Sequence, residues 1–331
     1  MAPAALGGPL SELLPALRDL LGRVRQVPGK GLVITDGGVE HWVEEGAKAV
    51  SLLRETLYAR YFCRQTTPAY ASRYAARASG EPSFVGALVE ATARSTYLEP
   101  GWQVAKADSR WAFVSNGRVS LFLDDRRQLE PPSARVGSTV QVRLPCAREN
   151  LAPGFFYLLG RAGPIDAAKG HLRAYLNLSA EAAPEWVRAL CTRPGLAPLR
   201  FEAKLVNDPA LFGRADAAVL YLAPESAAAM LAWLGPWCRA SAGRVRADDT
   251  PLFTRAVAPG LAIAEVAAAG VSPAEGFGQR RCRLAAEELV AAIGAGELSA
   301  EAWARRISER FSQEGLGSVD GPRSRRVVAR G

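Results

Sequence analysis

A lysine lies in the middle of a strand-like run, residues 200–206, and further charged residues follow it at short spacing. Side chains two apart in a β-strand point to the same face, which separates Lys204 from its apolar neighbours. A second strand-like run, residues 213–222, places Arg214 and Asp216 on one face in the same way. If the two strands are neighbours, these three side chains can hold an anion beside a proton acceptor.

Lys204 is the candidate base in this group. An exposed lysine has a pKa of about 10.4 and is a poor base at neutral pH. Burial beside Phe201 and Leu205, or a cation such as Arg214, would lower that pKa and supply a neutral amine. The alternative is a lysine on an edge strand that only discourages aggregation.

Arginines near this run and in a later helix are candidates for binding an anion. Residues 278–283 read as the first turns of a helix, where cations oppose the helix dipole, so an anionic ligand would account for them better than stability does. The alternative for each is a solvated surface arginine. The candidates are Arg173, Arg214, Arg280, Arg281 and Arg283.

The chain contains two histidines, His41 and His171. Alternation places Lys169, His171 and Arg173 on one strand face, where an imidazolium can protonate a leaving group. A surface histidine is the alternative interpretation.

Two further polar residues belong to the second strand-like run. Tyr221 at its end can bind substrate or act as an acid, and Asp216 can orient Lys204 or Arg214. A packed tyrosine and an ordinary strand-end carboxylate are the alternatives.

The sequence lacks the motifs of several common enzyme classes. The sequence has no GxSxG elbow, no phosphate-binding P-loop, no GxGxxG fingerprint and no HExxH pair. Its five cysteines show no spacing typical of a disulfide framework or a zinc site. We therefore expect neither a metal nor an organic cofactor.

Composition favours a folded protein, and its basic charge indicates either an anionic partner or an ordinary solvated basic surface. The chain has 331 residues, 49% hydrophobic and 22% charged, which is enough for one large domain or two. The net charge is +8 and comes mostly from arginine, which suits contacts with phosphate or carboxylate. With no targeting or membrane-spanning segment in the sequence, we expect a cytoplasmic location without membrane binding.

Hydrophobic periodicity predicts an α+β fold, with a helical N-terminal region and a sheet-rich body that carries packed helices. Asn116–Gly117 is a hairpin signal. Helices are predicted over residues 8–26, 39–64, 82–95, 180–191, 224–239, 277–293 and 299–311, and strands over residues 102–104, 111–114, 119–123, 139–144, 155–159, 171–178, 200–206, 213–222, 252–255 and 261–264. The predicted regions are a helical one with a possible docking role (1–100), a body (101–312) whose site lies in 169–290, and a disordered tail (313–331).

Several of these segments, in this order, resemble the HopA-type effector family. The strongest are HLRAYLNL at 171–178, FEAKLVNDP at 201–209, RADAAVLY at 214–221 and GFGQRRC at 276–282. Segments 57–61, 100–102, 251–254 and 258–265 also look similar, so the resemblance runs from about residue 40 to 295.

The resemblance implies a function. The family includes a plant-pathogen type III effector and HopA-like lyases of class V lanthipeptide and thioamitide biosynthesis. There a kinase-like partner phosphorylates Ser or Thr of a precursor peptide, and the lyase eliminates phosphate to leave dehydroalanine or dehydrobutyrine. The implied fold, mostly antiparallel, is similar to that of the phosphothreonine lyases of enteric bacteria.

The resemblance also assigns roles to residues. Lys204 matches the base, while Arg214 and Arg281 match phosphate-binding arginines. Residues 169–171 loosely resemble a Lys-x-His motif of the phosphothreonine lyases. The chain departs from the family pattern where Arg280 and Gly276 replace a frequent histidine and serine, which leaves the general acid open between His171 and Tyr221.

We therefore predict a phosphoserine/phosphothreonine lyase that acts on a phosphorylated precursor peptide with a kinase-like partner. The alternative is a non-catalytic scaffold for peptide or kinase, with Tyr58, Tyr61 and Phe62 on its docking surface. Nucleic-acid binding is not expected, because no aromatic-basic binding module is evident.

Overall fold

The computed structural model describes residues 10–27, 31–44, 46–65, 80–108, 110–240, 243–246, 249–266 and 275–316. These residues form an α+β fold of eight α-helices and three antiparallel sheets. The helices are α1 (Leu10–Leu21), α2 (Ala47–Thr56), α3 (Pro82–Ala91), α4 (Asp125–Gln128), α5 (Ala183–Thr192), α6 (Pro224–Ala240), α7 (Phe277–Gly294) and α8 (Ala300–Gln313). A π-helical segment, Leu57–Phe62, continues α2.

Fifteen strands are present in the described part of the chain. They are β1 (Val24–Val27), β2 (Gly31–Asp36), β3 (Val39–Val43), β4 (Thr96–Ala107), β5 (Trp111–Ser115), β6 (Ser120–Asp124), β7 (Leu129–Glu130), β8 (Thr139–Pro145), β9 (Ala147–Ala152), β10 (Phe155–Leu159), β11 (His171–Leu176), β12 (Phe201–Val206), β13 (Ala218–Leu222), β14 (Arg255–Ala258) and β15 (Leu261–Val266).

A seven-stranded sheet in the order β14-β15-β11-β13-β12-β10-β9 forms the centre of the molecule. One face packs on α3, α5 and α6 around Trp186. The other face packs on α1, α2, α7, α8 and the π-helical segment around Trp303. Because both faces are covered, the central strands are rich in buried apolar residues.

The predicted strand over residues 213–222 is wrong in its first half. Residues 213–217 form a turn in which the Ala217 amide donates to the Arg214 carbonyl at 3.2 Å, and the strand begins at Ala218. Asp216 accepts two side-chain hydrogen bonds from Arg214, which stabilises the turn instead of a ladder. Arg214 and Asp216 therefore reach the sheet from its end.

The N-terminal region differs more from the prediction. Residues 39–43, predicted as helix, pair with β2, and the buried run Leu32–Ile34 was not recognised as a strand. The turn between these strands is Gly37–Gly38, with φ of 60° and 79°, values that glycine adopts without strain. The first predicted helix ends at Leu21, and residues 24–27 are strand β1.

Other boundaries shift by a few residues. The strand predicted at 252–255 begins at Arg255, and the helix predicted at 82–95 ends at Ala91. Helix α8 extends to Gln313, while residues 317–331 of the predicted tail lie outside the described residues.

The five-stranded sheet, β6-β5-β4-β8-β7, has a small core of its own around Trp102. The hairpin predicted at Asn116–Gly117 joins β5 to β6. None of the helices in the described ranges has the length and hydropathy to span a bilayer.

Candidate active site

Two rows of side chains cross the face of the central sheet that packs on α7. In one row Tyr221 of β13 lies between Arg173 of β11 and Glu202 of β12. In the adjacent row Lys204 of β12 is paired with Tyr157 of β10. The strands thus bring residues from distant parts of the chain onto one polar face inside a mostly apolar core.

Lys204 is half-buried against aromatic rings. Its Nζ lies 3.5 Å from the ring centroid of Phe155 and 5.9 Å from that of Tyr157. Among the described residues no carboxylate lies within ion-pair distance of Nζ. The amine therefore lacks the partner that ordinarily keeps a buried lysine charged.

Burial lowers the pKa of Lys204 to about 8. The carboxylate of Asp216 opposes this shift, whereas the guanidinium groups of Arg214 and Arg173 add to it. At this pKa about a tenth of the amine is neutral near pH 7, and the neutral amine is the form that a base requires.

Arg214 and Asp216 form a buried bidentate pair beside Lys204. Arg214 Nε donates to Oδ1 of Asp216 at 2.5 Å, and Nη2 donates to Oδ2 at 2.9 Å. Arg214 Nη2 also contacts the sulfur of Cys63 at 3.1 Å, just after the π-helical segment. The Arg214 guanidinium is therefore already engaged, and its positive charge is largely balanced by Asp216.

His171 is held in its neutral form. Nε2 accepts a hydrogen bond from Arg173 Nε at 3.1 Å, which places the imidazole proton on Nδ1. Burial, with Arg173 adding to it, lowers the pKa of His171 to about 4. The imidazolium expected from the sequence is thus not the resting form near pH 7. The buried Nδ1 has no hydrogen-bond partner among the described residues and is a potential donor.

Tyr221 lies next to both of these side chains. Its ring centroid is 5.7 Å from the His171 ring and 5.1 Å from the Arg173 guanidinium carbon. Burial raises the pKa of Tyr221, so its hydroxyl keeps the proton near neutral pH.

Arg281 enters the same region from the second turn of α7. It is 5% exposed, its guanidinium carbon lies 3.8 Å from the Phe277 ring centroid, and Nη2 donates to the Leu316 carbonyl at 2.8 Å. Its Nε has no partner in the described part of the chain. Burial lowers the pKa of Arg281 to about 10, and Arg173, which also packs on Phe277, adds to that shift.

Two predicted phosphate-binding residues lie elsewhere. Lys169 is exposed and faces Asp166 at 3.7 Å. Arg280 forms an ion pair with Glu314 at 3.1 Å. Neither contributes to the cluster in this structure.

Several members of the cluster were not recognised from the sequence. Phe155 and Tyr157 line Lys204, and Cys63 contacts Arg214. Glu202 accepts a hydrogen bond from the Ile165 amide at 3.2 Å, and burial raises its pKa. Alternation along the strand already predicts that Glu202 and Lys204 share a face. The pairing of β10 with β12, which brings Phe155 and Tyr157 to Lys204, is not visible in the sequence.

Within the described residues, no group of three or more His, Cys, Asp or Glu side chains is placed to hold a metal ion. The five cysteines are all buried and free. The side chains of the cluster supply an amine, phenols, an imidazole, guanidinium groups, the carboxyls of Asp216 and Glu202, and the Cys63 thiol.

Comparison with known proteins gives a family match. The family model of the HopA1 effector protein family matches residues 146–318, more than half of the chain. Comparison with curated proteins gives no match.

Two solved structures of bacterial effectors also show local similarity. The effector protein from Pseudomonas syringae pv. tomato strain DC3000 is 18% identical with a TM-score of 0.37, over 49% of this chain and 59% of the effector. The effector protein from Pseudomonas syringae pv. syringae strain 61 is 17% identical with a TM-score of 0.35, over 51% and 63%. The matched part is thus less than two thirds of each effector's own length.

Proposed function

The chain belongs to the HopA1 effector protein family, and we propose that it is a phosphoserine/phosphothreonine lyase acting on a phosphorylated precursor peptide. The observation that carries this proposal is the half-buried amine of Lys204. It has a pKa of about 8, no carboxylate partner in the described ranges, and arginines nearby. A kinase-like protein that supplies the phosphorylated peptide is part of the proposal.

The proposed reaction is a β-elimination. Neutral Lys204 takes the α-proton of the phosphorylated residue, and the released electron pair forms the Cα–Cβ double bond. The bond from Cβ to oxygen breaks, and its electron pair leaves on phosphate. The products are dehydroalanine or dehydrobutyrine in the peptide, inorganic phosphate, and a protonated Lys204 that returns its proton to water.

The guanidinium groups would hold the leaving phosphate. Arg173 is the best placed, because it faces Lys204 and Tyr221 and, among the described residues, has no carboxylate partner. Arg281 is a second candidate if its contact with the Leu316 carbonyl opens. Arg214, paired with Asp216, would act by lowering the pKa of Lys204 and contribute less to phosphate binding.

A proton donor to the departing oxygen would come from Tyr221 or His171. Tyr221 is protonated near neutral pH and lies beside Arg173. A bound phosphate dianion would draw Arg173 away from His171 Nε2 and raise the pKa of that imidazole. Tyr221 is favoured as the acid, because it already carries its proton near neutral pH, whereas His171 would have to gain one after phosphate binds.

The docking surface expected for the alternative, a non-catalytic scaffold, is not exposed. Tyr61 and Phe62 are buried, and Tyr58 stacks on Phe62 at a centroid distance of 5.4 Å. These rings pack in the core instead of forming an exposed docking patch.

Mass spectrometry of phosphoserine and phosphothreonine peptides incubated with the protein tests the proposal. We expect loss of phosphoric acid from the peptide, and trapping of the new double bond by an added thiol. Recovery of the free hydroxyl would indicate hydrolysis, and an unchanged peptide mass would favour the scaffold. Either result contradicts the lyase.

A further inference from the structure

The outer face of the five-stranded sheet carries an aromatic strip, formed by Trp111, Phe113 and Phe122. Phe113 and Phe122 are cross-strand partners and are 37% and 67% exposed. Trp111 stacks on Phe122 with a centroid distance of 5.2 Å and an interplanar angle of 18°. The alternate residues Ala112 and Val114 are buried, so the sheet has its core on one side and exposed rings on the other.

Strand β6 is one of the two edges of this sheet. In the described part of the chain β6 pairs only with β5, which leaves the backbone groups of its outer side without a strand partner. Soluble proteins usually protect such edges with proline, bulges or inward-pointing charges. The sequence of β6, Ser-Leu-Phe-Leu-Asp, ends in an acid and has no such device in its centre.

Exposed cations lie around the aromatic strip. Lys106 is the cross-strand neighbour of Phe113, and the Arg110 guanidinium lies 5.0 Å from the Trp111 ring centroid. Arg118 lies in the hairpin that leads into β6. These three side chains are exposed and have no ion-pair partner among the described residues. An occupant with acidic side chains would complement this charge.

We propose that β6 and the aromatic strip bind an extended acidic segment of the peptide substrate by strand addition. Backbone hydrogen bonds to the open edge would supply affinity, and alternate side chains would contact the rings and the nearer cations, Arg110 and Arg118, while Lys106 on β4 would act at longer range. The surface belongs to a different sheet from the Lys204 cluster, so it would bind residues of the peptide away from the phosphorylated one. That the bound segment belongs to the peptide substrate rests on the proposed function. That it is extended and acidic follows from the open strand edge, the exposed rings and the cations of the surface.

Binding of unphosphorylated probes tests the surface without using the lyase. The probes are a fluorescein-labelled peptide of alternating glutamate and valine, the same peptide with lysine for glutamate, and a thymidine oligonucleotide. Fluorescence anisotropy should show binding of the glutamate peptide alone, and hydrogen exchange should show new protection within residues 120–124. No binding of the glutamate peptide, or stronger binding of the oligonucleotide, would overturn the proposal.

A matched pair of variants locates the binding. Phe122→Ser removes the most exposed ring of the strip, and we expect the Kd of the glutamate peptide to rise about tenfold. Leu298→Ser removes an exposed apolar side chain, 56% exposed, from another part of the surface and should leave the Kd unchanged. An equal Kd for Phe122→Ser and the wild type would place the binding elsewhere. Elimination from a short phosphopeptide is expected to be unaffected in both variants, so failure of the surface is distinguishable from failure of the lyase.

Discussion

The environment of Lys204 combines opposing effects on one amine. The Phe155 ring favours the ammonium form through its π-face, at 3.5 Å from Nζ. Burial favours the neutral form and is the larger effect, since the pKa falls to about 8. The pKa of the amine thus lies close to neutral pH, where Lys204 can both accept and release a proton.

The pH dependence of elimination should report this pKa. Because only neutral Lys204 accepts the α-proton, kcat/KM is expected to rise with pH and level off above about 8. The measurement is kcat/KM for a phosphopeptide across the neutral and mildly alkaline range. A flat or falling profile there would argue against an amine base.

The same shift predicts how stability depends on pH. The unfolded chain binds this proton up to the ordinary lysine pKa of 10.5, whereas the folded protein loses it at about 8. Between these values the unfolded state binds more protons, so Lys204 makes the free energy of unfolding rise with pH. The contribution should disappear in Lys204→Met.

At the residue scale the sequence singles out Lys204 but not the residues that surround it. Lys204 is conspicuous because it is the one lysine in an apolar strand pattern. Phe155 and Tyr157 lie about fifty positions earlier and meet Lys204 only through the pairing of β10 with β12. Long-range strand pairing leaves no local signal in a single sequence.

The close approach of α7 to the π-helical segment positions Arg281. Gly278 makes this approach possible, because a Cβ at that position would lie 2.5 Å from the Phe62 ring. The ring is itself packed edge-on against Tyr175, with a centroid distance of 5.7 Å, so it has little room to move.

Gly278→Ala should therefore force α7 away from the π-helical segment. We expect a loss of about 1–3 kcal/mol in the free energy of unfolding, together with weaker phosphopeptide binding. Chemical denaturation and a binding titration measure these effects.

Gly86→Ala in α3 is the matched control. A Cβ there meets no atom within 4 Å, and alanine should stabilise the helix by about 0.5–1 kcal/mol. Equal stability of Gly278→Ala and the wild type would show that α7 can shift without cost.

Elements with strong periodicity were predictable, and those set by local polar contacts were not. Helix α7 agrees with its predicted range because apolar residues recur at helical spacing over eighteen residues. The sequence pattern predicts a strand for the turn at 213–217, because the apolar alanines there continue the pattern of β13. The hydrogen bonds between Arg214 and Asp216 decide its structure.

At the scale of the whole molecule, the N- and C-terminal helices share one core. Leu17 of α1, Leu53 of α2 and Trp303 of α8 belong to the same buried cluster as Tyr175 of the central sheet. The sequence shows amphipathic helices at both ends but does not show that they cover the same face. The division into a docking region and a catalytic body remains a prediction. The N-terminal helices help to build the core beneath the candidate site.

Single-turnover elimination by Lys204→Ala tests the central claim most directly. Removing the base should slow elimination by at least about a hundredfold, while the phosphopeptide still binds because the arginines remain. Lys48→Ala, which removes an exposed lysine paired with Glu44, is the control and should react at the wild-type rate. Loss of elimination with retained phosphopeptide affinity in Lys204→Ala alone is the predicted result. Elimination by Lys204→Ala at the wild-type rate would contradict the account.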